Sequence, residues 1–258
     1  MSFNKGRYWF ETYGCEMNKA ESVALENLLK EEGFLKASTP GSADLVILNT
    51  CSVRISAENR IWGRLGFYQN LKKSHSFTLV VIGCMAERLK ETLLDAAPVI
   101  DLVVSNFSKL DLKMILSKEE TKKKSYISSE EEEYSFFTAH HEKGSFKSFI
   151  PIMHGCNNFC TYCIVPYVRG RERSRDPDSI LSEIDILDGA ELREITLLGQ
   201  NVNSYQGCMD NRIIAFPELM EQISKRIRNI QWIRFLTSHP KDFSDELIRV
   251  IKDNDKIC

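Results

Sequence analysis

Residues 45–51 read Leu-Val-Ile-Leu-Asn-Thr-Cys, a run of aliphatic residues that ends on two polar residues and a cysteine. An apolar run without polar alternation predicts a strand buried on both faces, as in a parallel sheet. Similar runs lie at Arg7–Tyr13 and Leu79–Ile82, and a fourth strand is predicted at Val99–Val104. Apolar residues at helical spacing separate the first two runs, and Gly33 is a typical helix stop. This alternation predicts an N-terminal α/β domain with a parallel sheet.

A cysteine closely follows each of the first three predicted strands, at Cys15, Cys51 and Cys84. Parallel strands bring their carboxyl ends to one edge of the sheet, where open α/β sheets bind their ligands. We therefore expect the three thiols to converge. Three thiolates at that edge predict an iron–sulfur cluster with three protein ligands. The alternative is that each cysteine is a small buried hydrophobic residue, which is a common use of cysteine.

A second cysteine group lies in one short loop, Cys156-Asn-Asn-Phe-Cys160-Thr-Tyr-Cys163, with the spacing C-x3-C-x2-C. Three thiolates can hold three irons of a [4Fe–4S] cluster, and the fourth iron is then open to a substrate or cofactor. Clusters that only carry electrons usually have four cysteine ligands, so this loop predicts chemistry at the cluster. A zinc site is the alternative, but it usually needs four ligands, and His154 is too close in sequence to be the fourth.

Longer stretches around both cysteine groups resemble the radical S-adenosylmethionine (SAM) enzymes, and within them the methylthiotransferase family. The stretches that carry the resemblance are Thr12–Asn18, Asn49–Arg54, Ile82–Ala86 and Ile152–Glu172. The resemblance implies that Cys156, Cys160 and Cys163 hold the cluster that binds SAM, and that Cys15, Cys51 and Cys84 hold an auxiliary [4Fe–4S] cluster. It also implies SAM as a cofactor. Glu16 stands where the family has glutamine, which adds charge near a metal site without removing a ligand.

The second half of the chain repeats a strand–helix pattern. Strands are predicted at Ser148–Met153, Glu194–Leu198 and Ile230–Leu236, and helices at Pro177–Leu187 and Phe216–Arg226. In a βα barrel the carboxyl ends of the strands carry the active site. The resemblance therefore implies an incomplete radical SAM βα barrel that stops after about three units.

Several polar and aromatic residues of this half are candidates for cofactor binding. Gln200 and Asn201 follow a strand, and Tyr162 precedes the third loop cysteine, with core packing as its alternative role. Arg169 and Arg171 begin a series of arginines at every second position, which would project from one face if the segment is extended. Guanidinium groups bind carboxylates and phosphates, so SAM and RNA are both possible partners. The sequence identifies no catalytic acid or base.

Composition and charge describe an ordinary globular protein. The chain has 258 residues, 43% of them hydrophobic and 27% charged, with a formal net charge of −2. No apolar run is long enough to span a membrane, and the N-terminus lacks the apolar core of a signal peptide. Cysteines with metal-type spacing favour a reducing cytoplasm over disulfides. We predict an N-terminal domain at residues 1–117, a charged linker at 118–147 and a partial radical SAM domain at 148–258.

The resemblance also implies a substrate. Thr196–Tyr205 and Arg234–Phe243 resemble the branch of the family that adds a methylthio group to C2 of N6-isopentenyladenosine, beside the anticodon of tRNA. The alternatives are the branch acting on threonylcarbamoyladenosine and an inactive remnant that still binds iron–sulfur clusters. A reductant such as flavodoxin or ferredoxin is implied, the sulfur donor is undetermined, and a monomer is expected. The C-terminal RNA-binding β-barrel of the family is expected to be absent, which makes the activity of this chain uncertain.

Overall fold

The computed structural model describes residues 5–53, 55–109, 112, 124–126, 136, 144–190 and 192–258. The helices and strands, numbered in chain order, are β1 (Arg7–Thr12), α1 (Glu16–Glu31), β2 (Leu35–Lys36), β3 (Leu45–Thr50), α2 (Ile55–Leu71), β4 (Thr78–Gly83), α3 (Cys84–Leu89), α4 (Thr92–Ala96), β5 (Leu102–Val104), β6 (Lys124–Tyr126), β7 (Lys147–Pro151), β8 (Met153–His154), α5 (Val165–Arg169), β9 (Arg173–Ser174), α6 (Pro177–Asp188), β10 (Glu194–Leu198), β11 (Gln206–Met209), β12 (Arg212–Ala215), α7 (Phe216–Arg226), β13 (Trp232–Leu236) and α8 (Asp245–Lys252).

The described chain divides by its internal contacts into two compact units. The first unit comprises residues 1–135 and 160–169, and the second comprises residues 136–159 and 170–258. The ten residues 160–169, which include two of the loop cysteines and helix α5, thus belong to the first unit. The domain boundaries read from the sequence stay a prediction, and most of the predicted linker lies outside the described residues.

A six-stranded parallel sheet forms the centre of the first unit. Its strand order is β2-β1-β3-β4-β5-β6, and every neighbouring pair is parallel. All six residues of β3 are buried, as expected for a central strand covered on both faces. The predicted N-terminal parallel α/β architecture is confirmed. The strand predicted from Val99 begins only at Leu102 because the preceding residues form a turn, in which the Ile100 amide donates to the carbonyl of Ala97.

A three-stranded parallel sheet forms the centre of the second unit, in the order β13-β10-β7. Helices α6 and α7 pack against each other, and their apolar side chains join those of β10 in one core. Asp176 caps α6 by accepting from the Ser179 amide at 2.8 Å, and Pro177 is its first residue, as predicted. Two short antiparallel pairs, β8–β9 and β11–β12, complete the unit.

No helix in the described part of the chain is long and apolar enough to cross a membrane.

Candidate metal centres

Three cysteines lie at the carboxyl ends of three adjacent strands in the first unit. Cys15 is the N-cap residue of α1, Cys51 follows β3 directly, and Cys84 follows β4 as the first residue of α3. Strands β1, β3 and β4 are successive neighbours. With a strand spacing of about 4.8 Å, their ends span about 10 Å of the sheet edge. The structure therefore brings these three predicted ligands to one edge.

Two glycines allow the backbone to approach closely around these cysteines. A Cβ atom on Gly14 would lie 2.6 Å from the Cβ of Cys51 and 3.2 Å from its Sγ. Gly83 has φ 95°, and a Cβ there would collide with the carbonyl oxygen of Thr50. Glycine alone tolerates both the positive φ and the contact, so the two glycines are required for this close packing beside Cys15, Cys51 and Cys84.

The three residues offer thiol sulfur, the donor that iron–sulfur clusters use. Among the described residues, no group of three His, Cys, Asp or Glu side chains is arranged to hold one metal ion. In a cubane cluster each thiolate binds a different iron, so the ligands stand further apart than around zinc. Cys51 and Cys84 are buried, and all three thiols come from backbone held by the sheet and by glycine contacts. The donor set and its placement fit an iron–sulfur cluster with three protein ligands.

Asn18 connects Cys15 to the surrounding structure. Its Nδ2 donates to the carbonyl oxygens of Thr50 at 2.8 Å and Tyr13 at 3.1 Å. Its Oδ1 lies 3.6 Å from the Sγ of Cys15 and accepts from Nη2 of Arg169 at 2.8 Å. Both ends of this fully buried amide are therefore used, and one of them links the cysteine to a guanidinium.

A buried ion cluster adjoins Asn18. Arg169 donates from Nη1 to Oε1 of Glu21 at 2.8 Å, and Lys109 donates from Nζ to Oε2 of Glu21 at 2.5 Å. The three side chains are at most 3% exposed. Burial raises the pKa of Glu21, but Arg169 and Lys109 outweigh it and lower this pKa to about 2. Glu21 is thus a carboxylate at any ordinary pH.

Arg169 also interacts electrostatically with the cysteines. Burial lowers the pKa of Arg169, but Glu21, Cys84 and Cys15 together raise it well above its ordinary value. Its prediction as a SAM or RNA contact stays a prediction; the carboxylate that it binds in the first unit is that of Glu21. The condition of an extended segment is not met at Arg169, because Arg169 ends helix α5 and Gly170 turns the chain at φ 70°.

Asn106 makes a second link between a cysteine and helix α5. Its Nδ2 donates to the carbonyl oxygen of Val168 at 2.5 Å and lies 3.8 Å from the Sγ of Cys84. Helix α5 packs against α3, whose first residue is Cys84. Two buried asparagines, Asn18 and Asn106, therefore each contact one cysteine of the site and one residue at the end of α5.

A cavity of about 220 Å³ lies beside Cys15 in the first unit. The cavity is lined by Thr12, Tyr13 and Gly14 and by Ser56, Ala57 and Arg60 of α2. The cavity is next to the residue that precedes Cys15 and is large enough for a small organic group.

The three-cysteine loop has cysteines in both units, with Cys156 in the second unit and Cys160 and Cys163 in the first. In the second unit, the Cys156 amide donates to the carbonyl of Gly170 at 3.1 Å, and Cys156 is buried. Gly155 has φ 76°, and a Cβ there would collide with the Arg171 carbonyl. In the first unit, the Cys163 amide donates to the carbonyl of Cys160 at 2.8 Å, and both cysteines are partly exposed.

Two candidate cofactor residues near the loop are exposed. Tyr162 is 92% exposed, so core packing, its alternative role, is excluded. The Arg171 guanidinium lies 4.3 Å from the ring centroid of Phe159, a cation–π contact within the second unit. Both side chains are accessible to a ligand, and their predicted contacts with SAM stay predictions.

The two polar residues after β10 differ in how their side chains are used. Asn201 donates from Nδ2 to Asp242 at 2.7 Å and accepts from the His239 amide at 3.1 Å, so it joins the loop after β10 to the loop after β13. The Oε1 atom of Gln200 is buried and has no hydrogen-bond partner in the described part of the chain. Of the two residues, Gln200 is therefore the one whose side-chain oxygen can still accept a hydrogen bond from a ligand.

The polar residues that support the N-terminal cysteines were not predicted from the sequence. A signal existed for Glu21, because it lies three and four residues before Ala24 and Leu25 and thus on the apolar face of α1. A charged residue on a buried helix face requires a partner. Asn106 and Lys109 come from an irregular segment that shows no periodic pattern.

Comparison with protein-family models gives two matches along the chain. Residues 7–105 match the uncharacterized protein family UPF0004, and residues 150–257 match the radical SAM superfamily. The first match contains Cys15, Cys51 and Cys84, and the second contains the three-cysteine loop.

Curated relatives at high identity share one name. The tRNA-2-methylthio-N(6)-dimethylallyladenosine synthase of Treponema pallidum (strain Nichols) is 49% identical over 97% of this chain and 58% of its own length. The proteins of the same name from Parabacteroides distasonis and Dictyoglomus thermophilum are 45% and 43% identical over 98% of this chain, and over 56% and 57% of their own lengths. The chain thus spans a little over half the length of the curated relatives it matches.

Solved structures with the same fold are radical SAM enzymes. The methyltransferase TsrM from Kitasatospora setae, solved with tryptophan and a SAM analogue, has a TM-score of 0.63 and 12% identity, and it matches 95% of this chain and 57% of that one. The cobalamin-dependent SAM radical enzyme OxsB has a TM-score of 0.51 and 14% identity, over 96% of this chain and 41% of that one. At these identities the comparison establishes the fold alone. Together with the radical SAM family match at residues 150–257, it confirms the predicted fold class of the second half.

Proposed function

We propose that the chain belongs to the radical SAM methylthiotransferase family and that it adds a methylthio group to C2 of N6-isopentenyladenosine in tRNA, beside the anticodon. One observation carries the proposal: a chain with the C-x3-C-x2-C loop also holds three cysteines at the ends of three adjacent parallel strands. Two sites with three thiolates each match a reaction that needs both a radical initiator and a sulfur source. The names of the relatives support the isopentenyladenosine branch over the threonylcarbamoyladenosine branch.

Each cysteine group has a separate part in the proposed reaction. Cys156, Cys160 and Cys163 would hold a [4Fe–4S] cluster with an open iron for SAM, and Cys15, Cys51 and Cys84 would hold the auxiliary [4Fe–4S] cluster. When bound, these groups supply one-electron reduction of the SAM sulfonium and the sulfur that is transferred. A radical is needed because an aromatic C–H bond offers no leaving group to a nucleophile.

The protein residues around the loop would bind and orient SAM. Gln200 offers a buried acceptor for the amino group of SAM. Asn201 fixes the loop that carries Gln200 through its bonds to Asp242 and His239. Tyr162 and Arg171 are both exposed, and each could contact a cofactor, Tyr162 through its ring and Arg171 by pairing with a carboxylate.

The partners follow from the chemistry. We propose tRNA bearing isopentenyladenosine as the substrate and a flavodoxin or ferredoxin as the electron donor; the sulfur donor is undetermined. Reduced clusters and free thiols favour the cytoplasm. We also propose that the chain acts as a monomer.

The first experiment measures iron and sulfide after anaerobic reconstitution of the wild-type chain and of Cys84→Ala and Cys156→Ala. We expect two clusters in the wild type and one in each variant, with different spectra for the two remaining clusters. Added SAM should change the spectrum of the cluster left in Cys84→Ala and leave the cluster in Cys156→Ala unchanged. One cluster or none in the wild type would contradict the proposal and favour an inactive remnant.

The second experiment identifies the nucleoside. tRNA from a strain lacking the gene is digested and analysed by mass spectrometry, with and without the gene restored. We expect unmodified isopentenyladenosine to accumulate and its methylthio derivative to return on complementation. Loss of methylthio-threonylcarbamoyladenosine would assign the chain to the other tRNA branch.

A further inference from the structure

The buried ion cluster of Glu21, Arg169 and Lys109 has no role in the proposed reaction, yet it adjoins the N-terminal cysteines. Residues Glu21 and Arg169 are 148 positions apart in the sequence, and both belong to the first unit. Burying charged side chains costs several kcal/mol for each ion, and replacing such a cluster with apolar residues is often neutral or stabilising. Stability alone therefore gives no reason for three buried charges at this place.

The geometry directs the guanidinium of Arg169 toward the cysteine site. Its Nη2 donates at 2.8 Å to the Oδ1 of Asn18, the atom that lies 3.6 Å from the Sγ of Cys15. The residue before it, Val168, is held by Asn106, whose Nδ2 lies 3.8 Å from the Sγ of Cys84. The side-chain amide of Asn18 thus links the Arg169 guanidinium to Cys15. The side-chain amide of Asn106 links the backbone just before Arg169 to Cys84.

Glu21 and Lys109 fix the guanidinium in this position. One carboxylate oxygen of Glu21 accepts from Arg169 and the other accepts from Lys109. The carboxylate is therefore fully used in holding the two cations, and its position is set by helix α1, which begins directly after Cys15. A cation held rigidly in a medium of low dielectric interacts strongly with any nearby charge.

We propose that Arg169 is a positioning residue for the auxiliary cluster: it stabilises negative charge on the cluster held by Cys15, Cys51 and Cys84 and thereby raises its reduction potential. This inference rests on the proposed function of these cysteines. Reduction adds one negative charge to a cluster, and a fixed positive charge beside it favours the reduced state. Glu21 opposes this effect through its own charge while it holds the cation in place. Helix α5, which follows the three-cysteine loop, thus contributes through Arg169 to the cluster held by the N-terminal cysteines.

The test is the reduction potential of the auxiliary cluster, measured by electron paramagnetic resonance during titration with dithionite and mediators. The full chain carries Cys156→Ala, Cys160→Ala and Cys163→Ala, so that one cluster remains. In this background, Arg169→Gln should shift the potential to more negative values, and Glu21→Gln should shift it to more positive values. Arg169→Lys keeps the charge and should stay closer to the parent than Arg169→Gln.

Opposite shifts distinguish an electrostatic role from general damage to the fold, which would move both variants in the same direction. If Glu21→Gln does not fold, the comparison of Arg169→Lys with Arg169→Gln still decides the question. Arg175→Gln is the matched control, because it breaks a buried ion pair with Glu183 in the second unit and should leave the potential unchanged.

Two failures are distinguishable. If the parent chain assembles no cluster, or assembles one that Cys15→Ala does not abolish, the proposed function of these cysteines is wrong and the inference falls with it. If the cluster assembles and depends on Cys15, but Arg169→Gln has the potential of the parent, the proposed function stands and the role of Arg169 is overturned.

Discussion

Replacing Glu21 with glutamine should destabilise the first unit strongly at neutral pH and less at acid pH. Burial raises the pKa of Glu21, but Arg169 and Lys109 lower it to about 2, against an ordinary value of 4.5. At about 1.4 kcal/mol for each tenfold change in an equilibrium constant, the ionised carboxylate stabilises the fold by about 3 kcal/mol at pH 7. Glutamine keeps the size of the side chain and removes the charge, so the variant should lose about this amount.

The dependence on pH follows from the sign of the shift. The pKa of Glu21 is lower in the folded chain than in the unfolded chain, so the unfolded chain takes up the proton first as the pH falls. The stabilisation is complete above pH 4.5 and disappears as the pH falls through about 2. At pH 3 about 1.4 kcal/mol should remain by the same linkage relation. The gap between wild type and Glu21→Gln should therefore narrow by more than half between pH 7 and pH 3.

The assay is equilibrium urea unfolding of the metal-free chain at both pH values, followed by tryptophan fluorescence. The chain has three tryptophans, and Trp9 and Trp62 lie in the first unit. Replacing Trp232 with phenylalanine in all samples restricts the signal to that unit. The control is Glu31→Gln, an exposed change in the same helix, which should alter the unfolding free energy by less than about 0.5 kcal/mol. A loss at Glu21 that is under about 1 kcal/mol, or equal at both pH values, would refute the reasoning.

Three further predictions concern other parts of the chain. Gly83→Ala forces a side chain onto the Thr50 carbonyl at a positive φ, and it should reduce the iron bound by the Cys156→Ala chain and lower its melting temperature. Arg175→Met breaks the buried ion pair with Glu183 and should cost about 3–5 kcal/mol, measured by urea unfolding of the second unit. Gln200→Ala removes the unused buried acceptor and should weaken SAM binding about tenfold in equilibrium dialysis; unchanged binding would exclude Gln200 from the cofactor site.

Regular elements with strong patterns were predictable from the sequence. Strand Glu194–Leu198 and helix Phe216–Arg226 have the predicted bounds, because a continuous apolar run and a clear helical period leave little choice. The short strands β2, β8 and β9 could not be predicted, since two residues form no period and their pairing depends on contacts far away in sequence. Lys124–Tyr126 is a strand at the sheet edge, within the segment whose sequence predicts a charged linker.

The metal-ligand candidates were easier to predict than the residues that support them. Cys15, Cys51 and Cys84 follow strands whose direction the βα pattern already fixes, so their placement at one edge follows from topology. No comparable rule predicts the contacts of Asn18 and Asn106, because the sequence does not show which backbone groups or thiols an asparagine will contact. Their positions are set by tertiary contacts that span 32 and 62 residues, between Asn18 and Thr50 and between Asn106 and Val168.

Arg169 illustrates why one residue can support two different readings. In the sequence it follows the three-cysteine loop, which favours a contact with SAM. In the structure it belongs to the first unit, and its guanidinium pairs with a carboxylate of the helix that Cys15 begins. Its side chain is 3% exposed, so a ligand could reach it only by displacing Glu21, whose loss would leave Lys109 buried without this carboxylate. That cost, several kcal/mol for a buried charge, favours a fixed structural and electrostatic role at the N-terminal cysteines over an exchangeable contact with a cofactor.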